Sequence, residues 1–258
     1  MTDFTGRLSR APVVYVLAQI RFSAVLKMAE YIPAIQEALR GDYPRYEQQQ
    51  TATLQIGGQG VAAPPLATRW TFEDKAQQCG FIIDQSSLVF QTSNYVDFPH
   101  FRDRLLEGVA IVQNIVNTPL IERVGLRYID LIVPTDDEPI ERYMKPELVG
   151  FSLSSLGLNN EINQQLVNAK TDAGQLWVRF TKAKLASPLP PDLGSVALQL
   201  KRIPSIDKES AIMDTDHFSE KSMDFDVDQL TQVIDALQVP IGDVFKAAIT
   251  EHAIEQWR

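Results

Sequence analysis

The chain has a single cysteine, Cys79, among 258 residues. A disulfide within the chain and a zinc site built from cysteines are thereby excluded, and Cys79 is expected to be a buried, unreactive thiol. Histidine is also scarce. His100, His217 and His252 are scattered, with no pair at the spacing of a metal-binding helix. No apolar run reaches the roughly 18 residues that a membrane-spanning helix requires. The first eleven residues hold no apolar stretch, so no secretory signal is expected and a cytoplasmic location follows. There is no G-x-S-x-G elbow. The glycine-rich Gly57-Gly58-Gln59-Gly60 lacks the Lys-Ser/Thr of a phosphate-binding loop, and no helical pattern follows it. No enzyme signature survives this survey, so catalysis is not expected and no cofactor is called for.

Basic charge is in deficit: 24 Lys and Arg face 33 Asp and Glu, for a net charge of −9. A broad phosphate-binding surface is disfavoured, because affinity for nucleic acid rests on Lys and Arg neutralising phosphates. The deficit is local. From position 204 to 258 there are 12 acidic and 4 basic side chains, whereas six bases gather between Lys170 and Arg202. Hydrophobic residues make up 45% of the chain, enough for a sizeable core. Membrane association and oligomeric state are left open by these numbers.

What is present is periodicity. A strand is predicted over 13–22, with Val14, Val16, Ala18, Ile20 and Phe22 on one face and Tyr15, Leu17, Gln19 and Arg21 on the other. Val25, Met28, Ile32, Ile35 and Leu39 then recur at helical spacing across Pro33. Strands follow over 46–56, 68–74, 79–84 and 88–93. Asp97 caps a second helix, with Phe101, Leu105, Val109, Val112 and Val116 as its stripe. The stretch Arg123-Val124-Gly125-Leu126-Arg127-Tyr128 opens a second round. After it come a weak helix over 138–149, strands over 161–172, 175–184, 195–202 and 210–218, and a closing helix from 226 that breaks at Pro240.

Arg21-Phe22 and Arg127-Tyr128 echo each other 106 residues apart. The expected class is therefore α+β: two tandem β-α-β4-α units, 1–119 and 120–258, forming one curved antiparallel sheet with helices packed on one face. This order is similar to that of a tandem TATA-binding-protein-like fold, a likeness of topology that carries over no DNA-reading residue. The sequence also resembles an uncharacterised, sporadically distributed bacterial family of proteins of about this length. The residues that carry the likeness are Pro12-Val13-Val14-Tyr15-Val16 with Arg21-Phe22, the Arg123–Tyr128 stretch, Asp214-Thr215-Asp216-His217-Phe218, and Ile234-Asp235-Ala236-Leu237 with Phe245. The resemblance implies no reaction. Its sporadic distribution suits an accessory protein such as the sensor of a bacterial antiviral-defence pair.

Two surfaces compete for function. The sheet face away from the helices is expected to carry Gln49, Arg69, Thr71, Gln91, Trp177, Arg179, Gln199 and Lys201, together with Arg21 and Arg127. It is rich in amides, hydroxyls and arginine, with an aromatic, and poor in glutamate and lysine, and interfaces lean toward arginine and aromatics and away from lysine and glutamate. An ordinary solvated sheet face would have the same composition. Arg21 and Arg127 have apolar neighbours and must either pair with internal acids, for which Asp84 and Asp130 are candidates, or await an anionic group. Asp214 and Asp216 share a strand face near His217 and Glu220, as a hard-cation site or as a solvated acidic strand end. The favoured reading is a non-catalytic module that binds a protein or polar ligand through this face. The alternative is a carrier of hydrophobic small molecules or lipids, with a cavity beneath the closing helix as in helix-grip folds. An enzyme is third.

Overall fold

The computed structural model describes residues 8–51, 67–135, 138–193, 198–201, 203 and 205–258. Ten strands form one sheet: β1 (Val13–Phe22), β2 (Arg45–Thr51), β3 (Ala67–Glu73), β4 (Cys79–Ile83), β5 (Ser87–Thr92), β6 (Leu120–Ile132), β7 (Ile162–Lys170), β8 (Gln175–Lys184), β9 (Glu209–Ser219) and β10 (Met223–Asp224). The helices are α1 (Met28–Leu39), α2 (Phe98–Val116), α3 (Pro146–Val149), α4 (Val227–Ala248) and α5 (Glu251–Trp257). Every strand pairing is antiparallel, and the order across the sheet is β2-β3-β4-β5-β1-β6-β9-β8-β7, with the short β10 beside β6. The class is α+β with a large antiparallel sheet.

Strand alternation sorts the side chains as the sequence implies from Val16 onward, but Val14, expected on the same face, packs with Tyr15, Ile129 and Leu131 because the β1–β6 register shifts between Val13 and Tyr15. Val16, Ala18, Ile20 and Phe22 of β1 join Val124, Leu126 and Tyr128 of β6 in the main core. That core takes Ile32 and Ile35 from α1, Leu105 and Val112 from α2, and Ile234 and Leu237 from α4. Asp97 begins α2 by accepting a hydrogen bond from the His100 backbone N–H at 2.9 Å. Asn117, left-handed with φ 55°, ends it. Among the described residues no helix is long and apolar enough to cross a membrane.

Three expectations are corrected. The closing helix does not break at Pro240; α4 runs through it to Ala248. A proline inside a helix disturbs the ladder around its own position, and one carbonyl there, Leu237 O, is met from outside by His217 Nδ1 at 2.7 Å. The weak helix over 138–149 is only a 3-10 turn at Ile140–Arg142 and the single-turn α3. The strand expected over 195–202 is not formed at its described residues, Leu198 to Lys201. Positions 52–66, which hold the glycine-rich loop and the far end of the second expected strand, lie outside the described residues.

Described residues between β8 and β9 instead lie over the face of the sheet that the helices leave open. Leu189 and Leu198 form a second apolar cluster there with Val14, Tyr15, Ile129, Leu131 and Ile212. Its far end is tied to the β3–β4 turn and the end of β5. Gln199 N donates to Gln77 O at 2.7 Å, and Ser93 Oγ donates to Gln199 O at 2.6 Å. This strap roofs one half of the face. The backbone amide and carbonyl of Gln199 are thus both satisfied from the β3–β4 turn and from the residue after β5.

Candidate functional site

The strand registers lay the open face out as a grid. One row reads Glu73, Gly80, Gln91, Leu17, Arg127, Asp216, Trp177 across seven strands. The row on its strap side contains Tyr15, Ile129, Asp214 and Arg179. On its other side the row contains Val89, Gln19, Gly125, Phe218 and Gln175, and beyond that Arg21 lies directly opposite Arg123.

Arg127 is the hub of the roofed half. Its Nε and Nη2 donate to the two oxygens of Asp214 at 2.7 and 2.8 Å, and its Nη1 and Nη2 donate to Asp192 of the strap at 2.6 and 3.1 Å. Burial opposes its charge, but the hydrogen bonds from Asp214 and then Asp192 outweigh it and hold the guanidinium above its ordinary value. The same pairing holds Asp192 below the usual carboxylate range. Arg179 Nη1 adds a third arginine bond to Asp214 at 2.8 Å. Next to this clasp the Tyr15 hydroxyl donates to Gln91 Oε1, and burial raises the phenol well above its ordinary value. Gln91 Nε2 and Glu73 Oε1 are buried without a hydrogen-bond partner among the described residues.

The uncovered half is different in kind. Arg123 lies across Gly125, where an added Cβ would stand 2.8 Å from Nη1. Its guanidinium is 4.3 Å from the Phe218 ring centroid, and its Nη1 donates to Gln19 Oε1 at 2.8 Å. Burial draws this arginine below its ordinary value. Asp216 and Glu220 oppose that shift, and Arg21 adds to it. Arg21 itself is exposed and makes no ion pair among the described residues. Like charges directly opposite one another on neighbouring strands are destabilising. Asp216, raised by burial, and the half-buried Trp177 complete this patch.

The candidates read from sequence therefore divide. Arg127 and Arg179 are held by Asp214 and Asp192; the expected partners Asp130 and Asp84 are not used. Asp84 instead caps its own turn by accepting from Ser86 and Ser87. Arg21 and Trp177 lie on the open half. Arg69 is exposed near the far edge, opposite Gln49 on β2. Gln199 and Lys201 belong to the strap rather than to a strand, and Lys201 Nζ donates to Asn94 Oδ1 at 2.7 Å. Asp214 is committed to arginine and His217 points into the core, bonded to Thr171 Oγ1 at 2.8 Å as well as to Leu237 O. Burial lowers the His217 imidazole, so it is neutral at pH 7. The pair Asp214 and Asp216 is thus not arranged as a cation site, and no cluster among the described residues has the donors for one. Cys79 fits an unreactive thiol, pushed up to about 12 by burial and then by Asp74.

Arg123 and Asp192 escaped the sequence reading. Arg123 shares strand parity with Arg127 and so was detectable. Asp192 sits in the proline-rich strap, where no period announces a partner. No known family model matches the chain, and no curated protein matches it.

Proposed function

We propose that the protein is a non-catalytic recognition module whose open half-face, centred on Arg21 and Arg123, takes a carboxylate or phosphate group presented by a protein partner. One observation carries the reading: two arginines face each other across β1 and β6 with no carboxylate in salt-bridge contact with either among the described residues. An anion placed between them relieves their repulsion, and arginine's planar fork suits such a group. Phe218 and Trp177 supply the aromatic surface that interfaces favour. The strap clasp supports this role by holding the neighbouring half of the face rigid. Within this reading the protein is cytoplasmic and serves as the sensor of a bacterial antiviral-defence pair.

The same proposal includes the tandem origin of the sheet, two units at 1–119 and 120–258. The β1–β6 register supports it. With a 106-residue offset, Arg21 opposite Arg123 and Leu17 opposite Arg127 are one contact written twice, and Gln19 opposite Gly125 falls on the dyad. The first unit's order β1-β5-β4-β3-β2 has its counterpart outward in β6-β9-β8-β7, which is one strand shorter among the described residues.

The test is co-purification with the product of an adjacent gene. Arg21→Glu should abolish the complex without lowering the melting temperature, since a glutamate opposite Arg123 removes a like-charge pair. A complex that survives both Arg21→Glu and Arg123→Gln sinks the reading.

A further inference from the structure

Away from that face, a cavity of about 880 Å³ opens where the start of β1, the first turn of α2 and the second half of α4 converge. That volume suits a small organic ligand. Its apolar wall includes Val13, Phe98, Leu131, Phe245 and Trp257. Its charged rim is of one predominant sign. Among the described residues, Arg10, Lys201 and Lys246 line it with one carboxylate, that of Asp97, although Lys246 also lies 4.0 Å from Asp243, in a chain whose net charge is −9. The N-terminal end of the 19-residue α2 reaches the same cavity through Asp97 and Phe98, and its dipole adds positive potential.

Gly242 supplies an independent observation. A glycine inside a helix costs about 1 kcal/mol relative to alanine. Such a residue is usually retained where a neighbour needs the space. Here nothing does: a Cβ on Gly242 would meet only the amide tip of Gln238, at 3.5 Å. The space above Gly242 is the cavity itself. The helix is thinned where the cavity is, and not where another element packs.

We infer that this cavity is a binding site for an amphipathic organic anion, an acidic head held at the Arg10–Lys201 rim and an apolar body lying over Gly242 against Phe245 and Trp257. The site is separate from the Arg21–Arg123 face. Lys201 and Asn94, which are bonded to each other at 2.7 Å, both line it, so the ligand meets the anchored end of the strap.

Dodecanoate is the probe, with dodecanol as its uncharged control, followed by native mass spectrometry on the full chain and by the tryptophan fluorescence change that a Trp257→Phe variant should lose. One dodecanoate should bind per chain, and dodecanol should bind more weakly. Arg10→Ala and Lys201→Ala should each weaken dodecanoate about tenfold, the loss of one charge-assisted contact. Gly242→Leu should project into the space the apolar body occupies and weaken binding without lowering the melting temperature, because leucine is the better helix former. Arg21→Glu should leave dodecanoate binding untouched, which separates failure here from failure of the sheet-face reading. Equal affinity for the acid and the alcohol, undiminished binding by the Arg10 and Lys201 variants, or no binding of dodecanoate at all would overturn the inference.

Discussion

Replacing Arg127 by alanine isolates what the clasp contributes to stability. The Arg127 side chain is 11% exposed and that of Asp214 only 2%. Removing the guanidinium strips two hydrogen bonds from a buried carboxylate and frees the strap at Asp192. Breaking a buried ion pair from one side costs about 3–5 kcal/mol, because the remaining charge stays desolvated. Arg179 still reaches Asp214 at 2.8 Å, from a side chain that is 40% exposed. The loss should therefore fall at the lower end, about 3 kcal/mol. For a chain of this size each kcal/mol moves the melting temperature by about 2–4 °C, so a drop of roughly 6–12 °C is expected. Scanning calorimetry at neutral pH measures it. Arg21→Ala is the control and should melt within about 1 °C of the wild type, as exposed substitutions do. The double variant Arg127→Met with Asp214→Leu should recover much of the loss, because the charges it leaves unpaired, Arg179 and Asp192, are 40% and 59% exposed rather than buried. If Arg127→Ala melts with the wild type, the clasp is not structural and the division of the two arginines is wrong.

Asp130 lies on the helix side of β6, 5% exposed, and burial raises its carboxyl from the ordinary 3.8 to about 7. Because the folded state holds the proton more tightly, this group's stabilising contribution is full below pH about 4 and fades as pH rises to about 7, by up to about 4 kcal/mol. Asp130→Asn should flatten urea-determined stability across that window; a variant curve parallel to the wild type would refute the burial argument. Gly108 faces Phe81 so closely that an added Cβ would stand 2.2 Å from the ring. Gly108→Ala should therefore cost about 1–3 kcal/mol by overpacking, and an unchanged denaturation midpoint would show that Phe81 moves aside freely.

Much of this molecule was written into local pattern. The alternation of β1 and β6 separates Ile20 and Leu126 from Arg21 and Arg127 without any knowledge of neighbours, because a strand's side chains must alternate. Asp97 and the stripe from Phe101 to Val116 specify α2 for the same local reason: a cap and a period of 3.6 need only the helix itself. The echo between Arg21-Phe22 and Arg127-Tyr128 also points to the two strands that meet at the centre of the sheet.

Tertiary structure decided the rest. Arg21 and Arg127 occupy matching places in the sequence, yet one is exposed and the other clasped. The difference is two carboxylates: Asp214 on β9, and Asp192, delivered from 65 residues away by a strap with no periodic signature. Where a strand was expected, Leu189 and Leu198 instead bury apolar surface over Ile129 and Leu131. Strand parity can assign a residue to a face, but only the packing of distant segments decides whether that face is roofed or open. The cavity over Gly242 has the same origin: it is bounded by the start of β1, α2, α4 and Trp257 of α5, which no single stretch of sequence brings together.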